Sequence, residues 1–238
     1  MPTAADPFHE SRRIARIAGA TYAALGVFAL VGYYHTPLVQ VDPTRLAATL
    51  ASASDARFGL GVVADNLSAV LALPLAALLY RLFAPVDREQ ALMMSLLLVM
   101  AVPISFVFAG DYVTARAWLL GGHGADLFSP AECQALANAA LQSHAHGVIA
   151  VEVFWGLWLI PFGLLVRRSG YLPRVLGLLL IVAGLAYVQH SVVSLVWPDW
   201  RLPMYERATM MARAAGEFPV ILWLAVKGTT DPNATRAT

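Results

Sequence analysis

One cysteine in 238 residues, Cys133, leaves no partner for an internal disulfide and too few thiols for a thiolate metal cluster. The plain reading of Cys133 is a small residue in a link between apolar runs. Charge is equally scarce. Asp, Glu, Lys and Arg make up 13% of the chain, against roughly a quarter in soluble domains. The formal net charge is +1, and the basic residues are scattered at the ends of apolar runs instead of clustered in a patch, which gives no reason to expect a nucleic-acid partner. No HExxH or comparable ligand spacing occurs, and no complete catalytic motif is present.

What the chain has instead is apolar length. Hydrophobic residues account for 59% of it, mean hydropathy is +0.65, and six runs cover residues 14–34, 60–83, 91–112, 145–166, 172–197 and 209–226. Each is as long as a spanning helix must be. The expected fold is all-α: a polytopic six-transmembrane-helix bundle forming one integral membrane domain over residues 1–238, with no separate soluble domain. The first run is too long for a cleaved signal and is followed by Tyr33, Tyr34 and His35 where small residues would be needed. It is expected to be retained.

Basic residues set the orientation. Arg12, Arg13, Arg16, Arg81, Arg88, Arg167, Arg168, Arg174, Lys227 and Arg236 fall on one side, and Arg45, Arg57, Arg116, Arg201 and Arg207 on the other. The positive-inside rule then predicts both termini in the cytoplasm, in a multi-pass protein of the cell (inner) membrane.

Polar residues inside the runs share a depth. Counted from the basic residue at each inner end, Asp65, Glu152 and His190 are each 16 residues away, Arg213 is 14, and Tyr33 and Ser105 are 17. At 1.5 Å per residue this is a layer roughly 21 to 26 Å from the inner boundary, in the outer part of the hydrocarbon core. Ionisable groups there mark a function or a paired structural lock. If the helix faces converge, Asp65, Glu152, His190 and Glu217 are candidates for general acid and base catalysis. Tyr33, Asn66, Ser105, Ser194 and Arg213 are candidates for ligand contact. Arg213 and Glu217 form an i,i+4 pair, so the alternative for both is a buried ion pair that only fixes helix arrangement. Asp65 with Asn66, and His190 with Ser191 and Ser194, have the same alternative as interhelical hydrogen-bond partners. No cofactor is required. A divalent metal would have Asp65, Glu152 and His190 as ligands, with His144 and His146 farther out. Haem would need histidines at matched depth, and only His190 is well inside.

The remaining pattern concerns packing. Pro74 and Pro161 each lie seven residues before a terminal arginine, and Asp65 and Glu152 each lie nine residues before the proline. Spans two and three are therefore readable as a parallel copy of spans four and five, with coincidence as the alternative, since membrane helices tolerate proline. Glycines recur at seven residues in Gly19 and Gly26, Gly156 and Gly163, and Gly177 and Gly184, which puts small residues on one face for close helix approach. Two outer links carry helix signals: Asp42 and Pro43 before Ala47 to Ala53, and the capping box of Ser129, Pro130 and Glu132 before a helix running toward His144. These short interfacial helices could cover the polar layer or simply fill space. Trp197, Trp200 and Tyr205 fit an aromatic belt.

Several stretches carry a resemblance: Arg16 to Gly19, Phe58 to Asp65, the Tyr80 to Asp87 turn, Ser169-Gly170-Tyr171-Leu172-Pro173-Arg174, Gly216-Glu217, Trp223-Leu224 and Lys227-Gly228. Together they resemble the bacterial domain of unknown function 4386 family over nearly the whole chain, the segment from Ser169 to Arg174 being the most specific. The resemblance implies an integral membrane protein of about this length. It carries over no reaction, cofactor or catalytic residue.

Three function classes follow. The first is a polar intramembrane pocket binding a lipid or isoprenoid-like small molecule, with acid/base chemistry. The second is a small-molecule or proton-coupled transporter, for which a two-helix repeat is small. The third is a noncatalytic membrane scaffold. The bilayer is the partner common to all three, and oligomeric state is not encoded in any motif.

Overall fold

The computed structural model describes residues 7–36, 56–122, 124–198, 200 and 202–230. All regular structure among them is helical: α1 (Pro7–His35), α2 (Ala56–Phe83), α3 (Arg88–Leu119), α4 (Pro130–Leu157), α5 (Leu159–Ser169), α6 (Arg174–Val196) and α7 (Pro203–Val226), with a 3-10 turn at Ala125–Leu127. Helices satisfy every backbone donor and acceptor within one segment, which hydrocarbon demands because it offers no water to bond. Six helical segments are long and apolar enough to cross a membrane, α4 and α5 counting together as one of 40 residues. The described residues are those of an all-helical, six-span membrane protein. Its many exposed apolar side chains, such as Leu30, Leu60 and Val107 at 58%, 65% and 71%, suit contact with lipid rather than water.

Helix ends follow from local chemistry. The Ser129 amide and hydroxyl both donate to Glu132 Oε2 at 2.7 Å, and the Glu132 amide donates to Ser129 Oγ at 3.3 Å. The expected capping box therefore starts α4, and that helix continues past His144 to Leu157 without a break. The second expected interfacial helix, Ala47 to Ala53, lies outside the described residues. Gly170 ends α5 with φ of 68°, a left-handed conformation that costs glycine nothing.

The proline parallel between spans two and four is not matched in conformation. Pro74 sits inside an unbroken α2. Pro161 has no N–H for the Leu157 carbonyl, and the helix divides at Trp158 into α4 and α5.

Two compact units are recognisable. The first comprises residues 1–24, 71–101 and 152–238, and the second residues 25–70 and 102–151. Glycine contacts organise the first. A Cβ added to Gly156 would lie 2.4 Å from the Gly184 carbonyl oxygen, and one added to Gly163 would lie 2.4 Å from that of Gly177. The seven-residue spacing thus seats α4 and α5 directly on the α6 backbone. At Gly216 an added Cβ would meet Ala183 Cβ at 2.4 Å and the Leu179 carbonyl oxygen at 2.6 Å, so α7 approaches the same helix. Phe83 and Phe162 pack edge to face at 5.7 Å between centroids, and Trp158 stacks on Phe162 at 5.4 Å. In the second unit Phe58, Tyr112, Ala115, Ala137 and Leu141 form a buried cluster.

Candidate functional site

Close packing of α4, α6 and α7 in the first unit brings their polar faces together. On α7, Glu206, Arg213 and Glu217 are spaced by seven and four residues, which at 3.6 residues per turn puts all three on one face. On α6, Tyr187 and His190 are three apart and neighbours on the helix surface. Glu152 of α4 lies one turn before Gly156, where that helix meets α6.

The resulting chain of contacts is continuous. Arg213 Nη1 donates to Glu152 Oε1 at 2.8 Å and Nη2 donates to Oε2 at 3.1 Å. This two-pronged guanidinium–carboxylate geometry is the strongest form of such a pair. Glu152 Oε2 also lies 2.6 Å from His190 Nδ1, and His190 Nε2 lies 3.0 Å from Glu206 Oε2. Side-chain exposure is 8% for Glu152, 12% for His190 and 16% for Arg213, then rises to 36% for Glu206. The chain is closed at one end and open at the other.

Its hydrogen bonds dictate a proton count. A neutral imidazole has one N–H, so it can bond only one of two ionised carboxylates. Both contacts of His190 are satisfied only if the ring carries two protons or one carboxyl group is protonated. Either way Arg213, Glu152, His190 and Glu206 sum to zero charge, with one proton shared between the imidazole and its carboxylates. Such a chain can accept or give a proton without rebuilding its geometry, which is what acid/base chemistry needs.

A second group adjoins it. Glu217 Oε1 accepts a hydrogen bond from the Tyr187 hydroxyl at 2.9 Å, and Oε2 accepts one from the Tyr22 hydroxyl. The Arg213 guanidinium lies 4.3 Å from the centre of the Tyr187 ring, a cation–π contact that links the two groups. Arg213 Nε and the Tyr205 hydroxyl are buried and have no hydrogen-bond partner among the described residues. Tyr205 stacks on His190 at 6.1 Å between centroids and meets Trp200 at 5.2 Å.

Of the sequence-derived candidates, the structure thus brings together Glu152, His190, Arg213 and Glu217. Ser194, one turn beyond His190 on α6, is partly buried in the same unit. The others belong to the second unit. Asp65 lies beside Gly32, where an added Cβ would be 3.1 Å from Asp65 Cβ. His144 is buried, donates from Nδ1 to the Phe108 carbonyl at 2.9 Å, and packs tilted by 30° against Tyr112 at 3.7 Å between centroids. Asn66 and Ser105 are partly buried, His146 is exposed, and Tyr33 is 65% exposed. Among the described residues no three His, Cys, Asp or Glu side chains are arranged to hold a metal ion. The reason is visible at His190, whose two nitrogens point to carboxylates on opposite ring edges and so cannot share one ion with both.

Sequence reasoning passes over Glu206, Tyr187 and Tyr22. Glu206 follows Pro203 in the first turn of α7, where an acidic residue reads as an ordinary partner for the helix dipole. Its seven-residue spacing to Arg213 was the available signal. Tyr187 precedes His190 by three residues, but nothing in the sequence marks Tyr22.

Comparison with known proteins gives a family and little else. A family model described as "Domain of unknown function (DUF4386)" matches residues 17–228. An uncharacterized protein of Archaeoglobus fulgidus is 26% identical over 168 residues, covering 70% of this chain and 83% of that protein. No solved structure matches.

Proposed function

The chain belongs to the DUF4386 family, and from that premise we propose that it is a cell-membrane protein with both termini cytoplasmic. In this reading it binds a lipid or isoprenoid-like small molecule beside Glu206, His190, Glu152 and Arg213 and exchanges a proton with it. The observation that carries the reading is the bridging of two carboxylates by both nitrogens of His190. That arrangement holds one proton which either neighbour can take. Glu206 is the accessible end, so it is where a molecule from the outer leaflet meets the chain. Arg213 keeps Glu152 oriented, and its Nε, without a partner among the described residues, together with the Tyr205 hydroxyl offers further hydrogen bonds to a polar head. Aromatic faces at Trp200 and Tyr205 suit an apolar or unsaturated tail.

The test is native mass spectrometry of the full chain released from native membrane, wild type beside His190→Gln and Glu206→Gln. A small molecule retained by the wild type and lost from both folded variants supports the reading. A bare wild-type protein, or equal retention by all three, overturns it.

A second reading, a noncatalytic scaffold, is favoured by one feature: Arg213 and Glu152 satisfy each other with two hydrogen bonds, as a structural lock would. In that case every substitution in the chain lowers stability and none changes what the protein carries.

A further inference from the structure

We infer that Glu217, held between Tyr22 and Tyr187, is a second proton-binding site that Arg213 couples to the Glu152 chain. The inference adds a site to the proposed reading and relies on it only for the proton shared at His190.

Charge counting leads there. The face contains three carboxylates, Glu152, Glu206 and Glu217, while Arg213 and the shared proton at His190 supply two positive charges. One negative charge is left over in a membrane-spanning helix, where it is costly. It falls to Glu217, because Nη1 and Nη2 of Arg213 are committed to Glu152, and a proton on Glu217 would cancel it. The hydrogen-bond partners of Glu217 are two phenols.

Two phenols make a clamp that serves both forms of a carboxyl group. An ionised Glu217 accepts from both hydroxyls. A protonated Glu217 donates its O–H to one tyrosine oxygen while the other tyrosine continues to donate to the carbonyl oxygen. In both forms each carboxyl oxygen keeps a hydrogen bond to a tyrosine, so gain or loss of the proton requires rotation of one hydroxyl and nothing larger.

The coupling follows from placement. The groups facing Glu217 are Tyr22 from α1, Tyr187 from α6 and Arg213 from its own helix, with Glu152 of α4 behind the guanidinium. When Glu152 is ionised it neutralises Arg213, and Glu217 keeps its proton. When Glu152 takes a proton the guanidinium charge acts on Glu217 one turn away, and that proton leaves. The two sites therefore hold protons in opposition. Counted from Lys227, Glu217 is about 15 Å and Glu206 about 32 Å along α7, so the opposition connects the outer end of the chain with mid-membrane.

The experiment is an infrared pH titration of the full chain in phospholipid vesicles with no ligand added. The expected result is a carboxylic-acid carbonyl band that is absent from Glu217→Gln, moves in frequency in Tyr187→Phe, and bleaches at lower pH in Glu152→Gln than in wild type. Absence of any band sensitive to Glu217→Gln overturns the second site. A band whose titration is the same in wild type and Glu152→Gln overturns the coupling. A wild-type protein that carries no small molecule would sink the binding reading while leaving this titration to stand or fall alone.

Discussion

Replacing Arg213 by Gln tests the polar chain most directly. Arg213 donates twice to Glu152, at 2.8 and 3.1 Å, and the two side chains are only 16% and 8% exposed. Removing one partner of such a pair leaves the other charge buried and uncompensated, at a cost of roughly 3 to 5 kcal/mol. At roughly 2 to 4 °C per kcal/mol for a chain of this size, the midpoint of thermal unfolding should fall by about 6 to 20 °C. Tryptophan fluorescence of the detergent-solubilised protein reads this. The companion variant is Glu152→Gln with Arg213→Gln, which removes both charges at once. Its loss should be smaller than the sum of the single losses, by about 1 to 3 kcal/mol of coupling. A fall below about 2 °C for Arg213→Gln, or additive losses in the double variant, would refute the pairing, because residues not in contact show little coupling.

Other positions give independent outcomes. Glu206→Gln should cost under about 1 kcal/mol of stability, since its side chain is 36% exposed, yet should change bound ligand as severely as His190→Gln. Gly163→Val should lower the unfolding midpoint through overpacking of about 1 to 3 kcal/mol or more, since even a Cβ would sit 2.4 Å from the Gly177 carbonyl oxygen; an unchanged midpoint would show that the helices can slide apart freely. Ser129→Ala removes the reciprocal cap of α4 and should cost about 1 kcal/mol, read as faster amide exchange confined to the first turns of that helix.

Architecture was legible because hydrocarbon imposes length and apolarity on any spanning segment, and the six runs meet both. The capping box at Ser129 and the glycine spacing were legible for a similar reason: each is a local pattern with one geometric use. Convergence was harder to read. A shared depth grouped Asp65 with Glu152 and His190, but depth leaves rotation about each helix undetermined. Asp65 belongs to the other compact unit. Glu206 escaped attention because the depth count excluded the last turn before the boundary, and tyrosine hydroxyls escaped because tyrosine is ordinary in a membrane helix. The proline parallel shows the same limit, since Pro74 and Pro161 occupy matching positions but only Pro161 interrupts its helix.

The start of α1 grips the end of α7. Arg12 Nε and Arg16 Nη2 donate to the carbonyls of Lys227 and Val226 at 3.2 and 3.1 Å, and a Cβ on Gly19 would collide with the backbone of Ala225. Because α1 leaves the ribosome before α7, its small-residue flank stays uncovered, and those two arginines without their carbonyl acceptors, until α7 follows. Tyr22, one turn farther along α1, meets Glu217 only then. Maturation of the acidic centre consequently follows the arrival of α7, and a nascent chain halted before α7 holds α1 in the bilayer as an unclasped stave.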